Sequence, residues 1–136
     1  MDYSVTRLST AAECDLAIST ATDLKDELEF DQLLLGRENT ARSRSAIQLD
    51  ADLASTIAQI DAFEAARDAV TDPAEKVVFE SRIRRLNDRK DNLEERKAKS
   101  GNNALLDNEL ERSRNEKQIA EIDVFIAAVT AHKDTL

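Results

Sequence analysis

The side chains able to do chemistry are few and far apart. The chain has one histidine, His132, and one cysteine, Cys14. Helical bundles that hold a pair of metals use glutamates and a Glu-x-x-His motif on facing helices, but the residue three before His132 is Val129. His132 therefore reads as a solvated or helix-terminal side chain, and no metal or cofactor site is expected. A lone cysteine excludes an internal disulfide, and Cys14, inside a helical stretch, reads as a small buried thiol. There is no Cys-x-x-Cys, no nucleophile elbow and no phosphate loop, since two glycines, Gly36 and Gly101, cannot build a cradle. Acid pairs such as Asp26-Glu27 and Glu94-Glu95 are normally solvated faces on highly charged helices. No catalytic residue stands out, and the expectation is a protein that is not an enzyme.

What remains is architecture. The 136 residues include two Gly and one Pro, 35% charged residues and 4% aromatic. Compact sheet-containing domains recruit Gly and Pro for tight turns, so this composition implies long helices. Apolar residues recur at steps of three and four, as in Leu49, Leu53, Ile57, Ile60 and Phe63, or Ile119, Ile122, Ile126 and Val129. That spacing makes one helical stripe and excludes alternating strands. The fold class is all-α.

Three boundaries divide the helices. Thr71-Asp72-Pro73-Ala74-Glu75 places a capping carboxylate before a proline suited to the first helical position. Lys99-Ser100-Gly101-Asn102-Asn103 reads as a helix end, with Gly101 in a left-handed conformation and an asparagine capping the next helix. Gly36-Arg37-Glu38-Asn39-Thr40 is weaker, because one glycine alone does not stop a helix. Thr10 and Glu13 have capping-box spacing, which starts the first helix near Ser9 or Thr10. Four helices are expected, at roughly 9–36, 40–71, 73–100 and 103–134.

The chain also echoes itself. Ile57 to Ala66 matches Ile119 to Ala128 at seven of ten positions, and Lys25 to Glu29 resembles Lys90 to Glu94 in the same order. This favours duplication over convergence on a shared helical template, and it would place a turn near Asn39 matching the one at Gly101. The expected architecture is a single domain over residues 1–136, with two tandem antiparallel helical hairpins at about 9–71 and 73–135. These would form a four-helix up-down bundle or an extended antiparallel coiled coil.

The two copies differ. The first helix ends in Phe30, Leu33, Leu34 and Leu35. Three consecutive leucines sweep about 200° of helix circumference, more than one stripe easily holds. These four residues are the candidate interface. Conversely, Glu111 to Gln118 contains no apolar side chain, and Lys90 and Lys97 fall on the expected seam, which predicts a wet, loosely packed section.

Charge narrows the partners. The net charge is −9, from 28 acids and 19 bases, which disfavours nucleic acid. The basic residues concentrate between Arg82 and Lys99, interleaved with acids, and read as a salt-bridged surface. No apolar run approaches the ~20 residues that span a bilayer, and Met1 to Leu8 has no apolar signal region, so a cytoplasmic protein is expected. The functional expectation is a non-enzymatic helical interaction or scaffolding protein with protein partners including itself. A small-ligand or lipid-binding bundle is the alternative.

Overall fold

The computed structural model describes residues Met1 to Leu136. It is all-α. A short 3-10 turn, Val5–Arg7, precedes helix α1 (Ala11–Ala69), and after the linker at residues 70–72 come α2 (Pro73–Arg96), a π-helical turn (Lys97–Asn102) and α3 (Asn103–Lys133). The chain divides into two units. Unit 1 combines Met1–Glu38 with Asn108–Leu136, and unit 2 is Asn39–Asp107. No helix is long and apolar enough to cross a membrane.

Two expected caps are present. The Thr10 hydroxyl accepts from the Glu13 amide at 3.2 Å, and the Glu13 carboxylate accepts from the amides of Ser9 and Thr10 at 2.6 and 3.3 Å. This is a reciprocal capping box, which occupies amides that have no partner within the helix. The Asp72 carboxylate accepts from the Ala74 amide at 3.0 Å, with Pro73 in the first turn of α2.

The bonds from Ser9 and Thr10 hold the Glu13 carboxyl below its ordinary range. A carboxylate whose pKa falls on folding contributes stability above its unfolded pKa and loses it as the pH drops through the folded value. In thermal melts followed by circular dichroism, wild type should therefore lose more stability than Glu13→Gln between neutral pH and the acidic range below the usual carboxylate pKa. Equal losses in the two proteins would remove Glu13 from the acid response.

The two other expected boundaries are not breaks, so the structure has two long helical runs in place of four separate helices. Helix α1 passes through Gly36–Thr40 uninterrupted. A helical glycine costs only about 1 kcal/mol relative to alanine, and Leu35 and Asn39 on either side stay half-buried. Gly101 does not adopt the left-handed conformation expected of it, since no residue has positive φ. It lies buried in the π turn, where a Cβ would stand 3.2 Å from Leu49 Cδ1.

The reason for the π turn lies in the spacing of the covered residues. In α1 they step by four and three from Cys14, Ile18, Ala21, Lys25 and Leu28 through to Phe63. This is an unbroken seven-residue repeat, the period that keeps a seam facing a partner helix. After the linker the same steps run from Phe79 through Ile83, Leu86, Lys90 and Leu93 to Lys97, then resume from Gly101 and Leu105 to Lys133. The step from Leu93 to Gly101 is eight residues rather than seven. One residue is surplus, and a π turn, with its wider i→i+5 loop, absorbs a surplus residue without turning the following seam away.

In unit 2 the two helical stretches are antiparallel. Phe63 packs on Phe79 beside the linker with ring centroids 6.1 Å apart, and Lys97 reaches Asp50 at 2.8 Å further from it. The seam buries Ala46, Leu49, Ile60, Ile83 and Leu93. Burial of a leucine or isoleucine contributes about 1.5–3 kcal/mol each, so this is the better-filled unit. Unit 1 is also antiparallel: Lys133 pairs with Asp15, and Lys25 with Asp123 at 2.6 Å. Its N-terminal segment folds back on the helices. Tyr3 meets Phe125 edge-on at 5.0 Å and donates to the Glu121 carboxylate. His132 Nε2 lies 2.8 Å from the Leu8 carbonyl in the last turn of α3.

The two echoing sequence segments take different rotational settings. Phe63 lies in the seam of unit 2, whereas its counterpart Phe125 flanks the seam of unit 1 and faces Tyr3. In the other echo the setting is kept, with Lys25 and Leu28 on the seam of α1 as Lys90 and Leu93 are on that of α2.

Candidate interaction surface

The surface that the sequence singles out lies on unit 1, and its character is set by the seam beneath it. Seam positions between Leu28 and Leu35 face positions between Asn108 and Asn115. Asn115 Nδ2 donates to the Leu28 carbonyl at 3.0 Å, and Asn108 Nδ2 to the Leu35 carbonyl at 3.3 Å. In the reverse direction, Gln32 Nε2 donates to the Arg112 carbonyl at 3.3 Å. Three side-chain amides thus reach across to the backbone of the opposite helix. The carbonyls can accept because each oxygen has a second lone pair beyond its helical bond.

This corrects the expectation of a wet, loose section at Glu111 to Gln118. The section is polar but closed, with Asn108 and Asn115 only 4% and 8% exposed. Short amide side chains let the helices approach until the amide spans the gap. The cost is visible in Gln32 Oε1, Asn108 Oδ1 and Arg112 Nε, which are buried without a partner.

With polar groups inside, the large apolar side chains are left outside. Phe30, Leu33 and Leu34 are 61%, 55% and 46% exposed. Leu35, the fourth candidate, is half-buried in the seam beneath the Asn108 amide. Leu106 in α3, and Leu110 four residues on, are exposed too. Across the chain, fourteen large hydrophobic residues are exposed and only five of comparable size are buried. The five are Leu49, Ile60, Ile83, Leu93 and Val129. Phe30, Leu33 and Leu34 lie within five residues of one helix, and an exposed apolar cluster of this kind is a usual mark of an interaction site.

Two grooves lie along one side of unit 1. The first, about 410 Å³, is lined by Asp31, Leu34, Glu111, Arg114 and Gln118 above Leu35 and Asn115. The second, about 430 Å³, is apolar and lined by Leu24, Ile122, Phe125 and Tyr3. Residues 111, 114, 118, 121 and 125 step by three and four, so α3 presents a single flank to both grooves.

Three of the four seam lysines follow one rule. Lys25, Lys97 and Lys133 each extend to an aspartate beside the seam of the facing helix, namely Asp123, Asp50 and Asp15. Each pair leaves its aliphatic stem on the seam and its charge in water. These contacts raise the pKa of Lys25 and Lys133. Solvent and salt screen such exposed pairs, so they set alignment more than stability.

Cys14 is fully buried, and no three of His, Cys, Asp and Glu converge to hold a metal ion. Comparison with protein-family models, curated proteins and solved structures finds no match.

The seam amides were not singled out from the sequence. The signal that could have found them is the strict seven-residue spacing of Gln32 with Lys25, and of Asn108 with Asn115. The looser three-or-four stripe runs through Ile57, where the structure buries Thr56 in the seam and leaves Ile57 exposed.

Proposed function

We propose that this chain is a non-enzymatic helical interaction protein that works by presenting helix faces to protein partners, a second copy of itself among them. The observation that carries this reading is the inverted packing of unit 1, with amides in the seam and Phe30, Leu33 and Leu34 outside it. A helix pair with that arrangement gains apolar burial only by docking against something else. Two copies meeting in this way would also make four helices, from two chains rather than one.

Light scattering and sedimentation at micromolar concentration test the proposal. Wild type should exceed the monomer mass of 15.2 kDa, and Phe30→Lys with Leu33→Lys should return it to the monomer without loss of helicity. A wild-type protein that is strictly monomeric over that range, and unaffected by the two lysines, would sink the reading. The apolar groove of about 430 Å³ beside Tyr3 favours a second reading, a site for a small apolar ligand, because pockets for such ligands span about 300–1,000 Å³. Native mass spectrometry of protein taken directly from its producing cell would show a retained small molecule under that reading and bare protein under the first.

A further inference from the structure

Helix α2 carries a second surface that forms no ion pair within unit 2. Val78, Arg82, Arg85, Arg89, Asn92 and Arg96 step by four, three, four, three and four, so they form one stripe. The stripe lies one position beside the seam residues Phe79, Ile83, Leu86, Lys90, Leu93 and Lys97, and all six of its residues are exposed. Lysines elsewhere find carboxylates, as Lys90 does at Glu94 and Lys99 at Glu95. The four arginines make no ion pair, and Arg82 stands over the Phe63 ring, 5.4 Å from its centre.

Unit 1 has the opposite surplus. It contains 15 acids and 7 bases, against 13 acids and 12 bases in unit 2. Asp31 and Glu111 both line the first groove and neither forms an ion pair, with Arg114 the one base in the lining. The groove flank on α3 has the same three-and-four step as the arginine stripe. A helix laid along that groove would bring its stripe to the groove floor once per turn. Leu34 belongs both to the groove and to the exposed apolar band.

We infer that the acid-lined groove of unit 1 is the docking site for the arginine stripe of α2 from a second copy of this chain. The inference rests on the self-association proposed above and names the contact that carries it. Arginine suits the role because its guanidinium is weakly hydrated and forks onto carboxylates. Unpaired charge of opposite sign on the two surfaces selects one partner and one alignment, and it makes the contact sensitive to salt.

A charge-exchange experiment tests it. One variant carries Arg85→Glu and Arg89→Glu, the other Asp31→Lys and Glu111→Lys. All four positions are exposed, and circular dichroism should show both variants as helical as wild type. Sedimentation should show wild type associating at least about tenfold more weakly in 0.5 M than in 0.05 M salt. Each variant alone should be monomeric, and an equimolar mixture should associate again. Variants that associate singly as well as wild type does, or a mixture that stays monomeric while both remain helical, would overturn this contact. Loss of association on Phe30→Lys with Leu33→Lys would still support the broader proposal in that event. A wild type monomeric at both salt concentrations overturns both.

Discussion

Deleting Ser100 should leave the protein folded, with a melting temperature equal to or above that of wild type, whereas deleting Lys117 should abolish the pairing of unit 1. Both residues are exposed on helical backbone, and a deletion inside a paired helix ordinarily turns every later side chain by about 100°. Lys117 is such a case. Its removal would swing Ile119, Ile122, Ile126 and Val129 out of a seam that Cys14, Ile18 and Ala21 line from the other side. Ser100 is different because the π turn around it already holds one residue too many. Its loss shortens the interval from Leu93 to Gly101 from eight residues to seven and brings α2 and α3 into the repeat that α1 keeps throughout. Proton exchange would locate the change: slower exchange around residues 97–102 in the Ser100 deletion, and fast exchange across residues 108–133 in the Lys117 deletion. A Ser100 deletion that unfolds would refute the surplus-residue account of the π turn.

Replacing Asn108 and Asn115 together by leucine should raise the thermal stability of unit 1 and loosen its alignment. Two effects act in the same direction. Each leucine adds apolar burial worth about 1.5–3 kcal/mol when complete, and the change removes Asn108 Oδ1, a buried acceptor with no partner that costs about 1–3 kcal/mol. Against them stand two amide-to-carbonyl bonds, at about 0.5–1.5 kcal/mol each. The balance favours the variant. Polar groups in a helix seam are nonetheless known to fix alignment at a cost in stability. Here the amides at 108 and 115 meet the carbonyls of Leu35 and Leu28, seven residues apart in each helix. Without them, the register of unit 1 rests on the Gln32 amide at the Arg112 carbonyl and on the pairs Lys25–Asp123 and Lys133–Asp15. Cysteines at positions 31 and 111, in a Cys14→Ala background, would read the outcome: one crosslinked species forms in the parent, and several in the leucine variant. A lower melting temperature in the leucine variant would mean that the amide bonds outweigh the burial.

The all-α class was legible from composition and spacing, because few glycines and a three-and-four step leave no other regular structure. The starts of α1 and α2 were legible because Thr10, Glu13, Asp72 and Pro73 act through their own backbone neighbours. Gly36 and Gly101 misled for the same reason in reverse. A glycine signals a helix end only if the next residues have nothing to pair with, and Leu35, Asn39 and Leu105 all face another helix. Whether such a partner exists is a tertiary fact that no local window contains. Phe30, Leu33 and Leu34 could be nominated as an outward surface by counting angles. The arginine stripe could not, because recognising it requires knowing which carboxylates the other bases already hold.

The fold of the N-terminal segment over Phe125 makes the protein its own spectrometer. There is no tryptophan, and Tyr3 is the sole tyrosine, so ultraviolet emission excited in the tyrosine band comes essentially from one ring at one end of unit 1. Helical ellipticity, in contrast, averages over the whole chain. On heating, a drop in tyrosine anisotropy that precedes the loss of ellipticity would time the release of residues 1–8 separately from the melting of the helices, with no label attached.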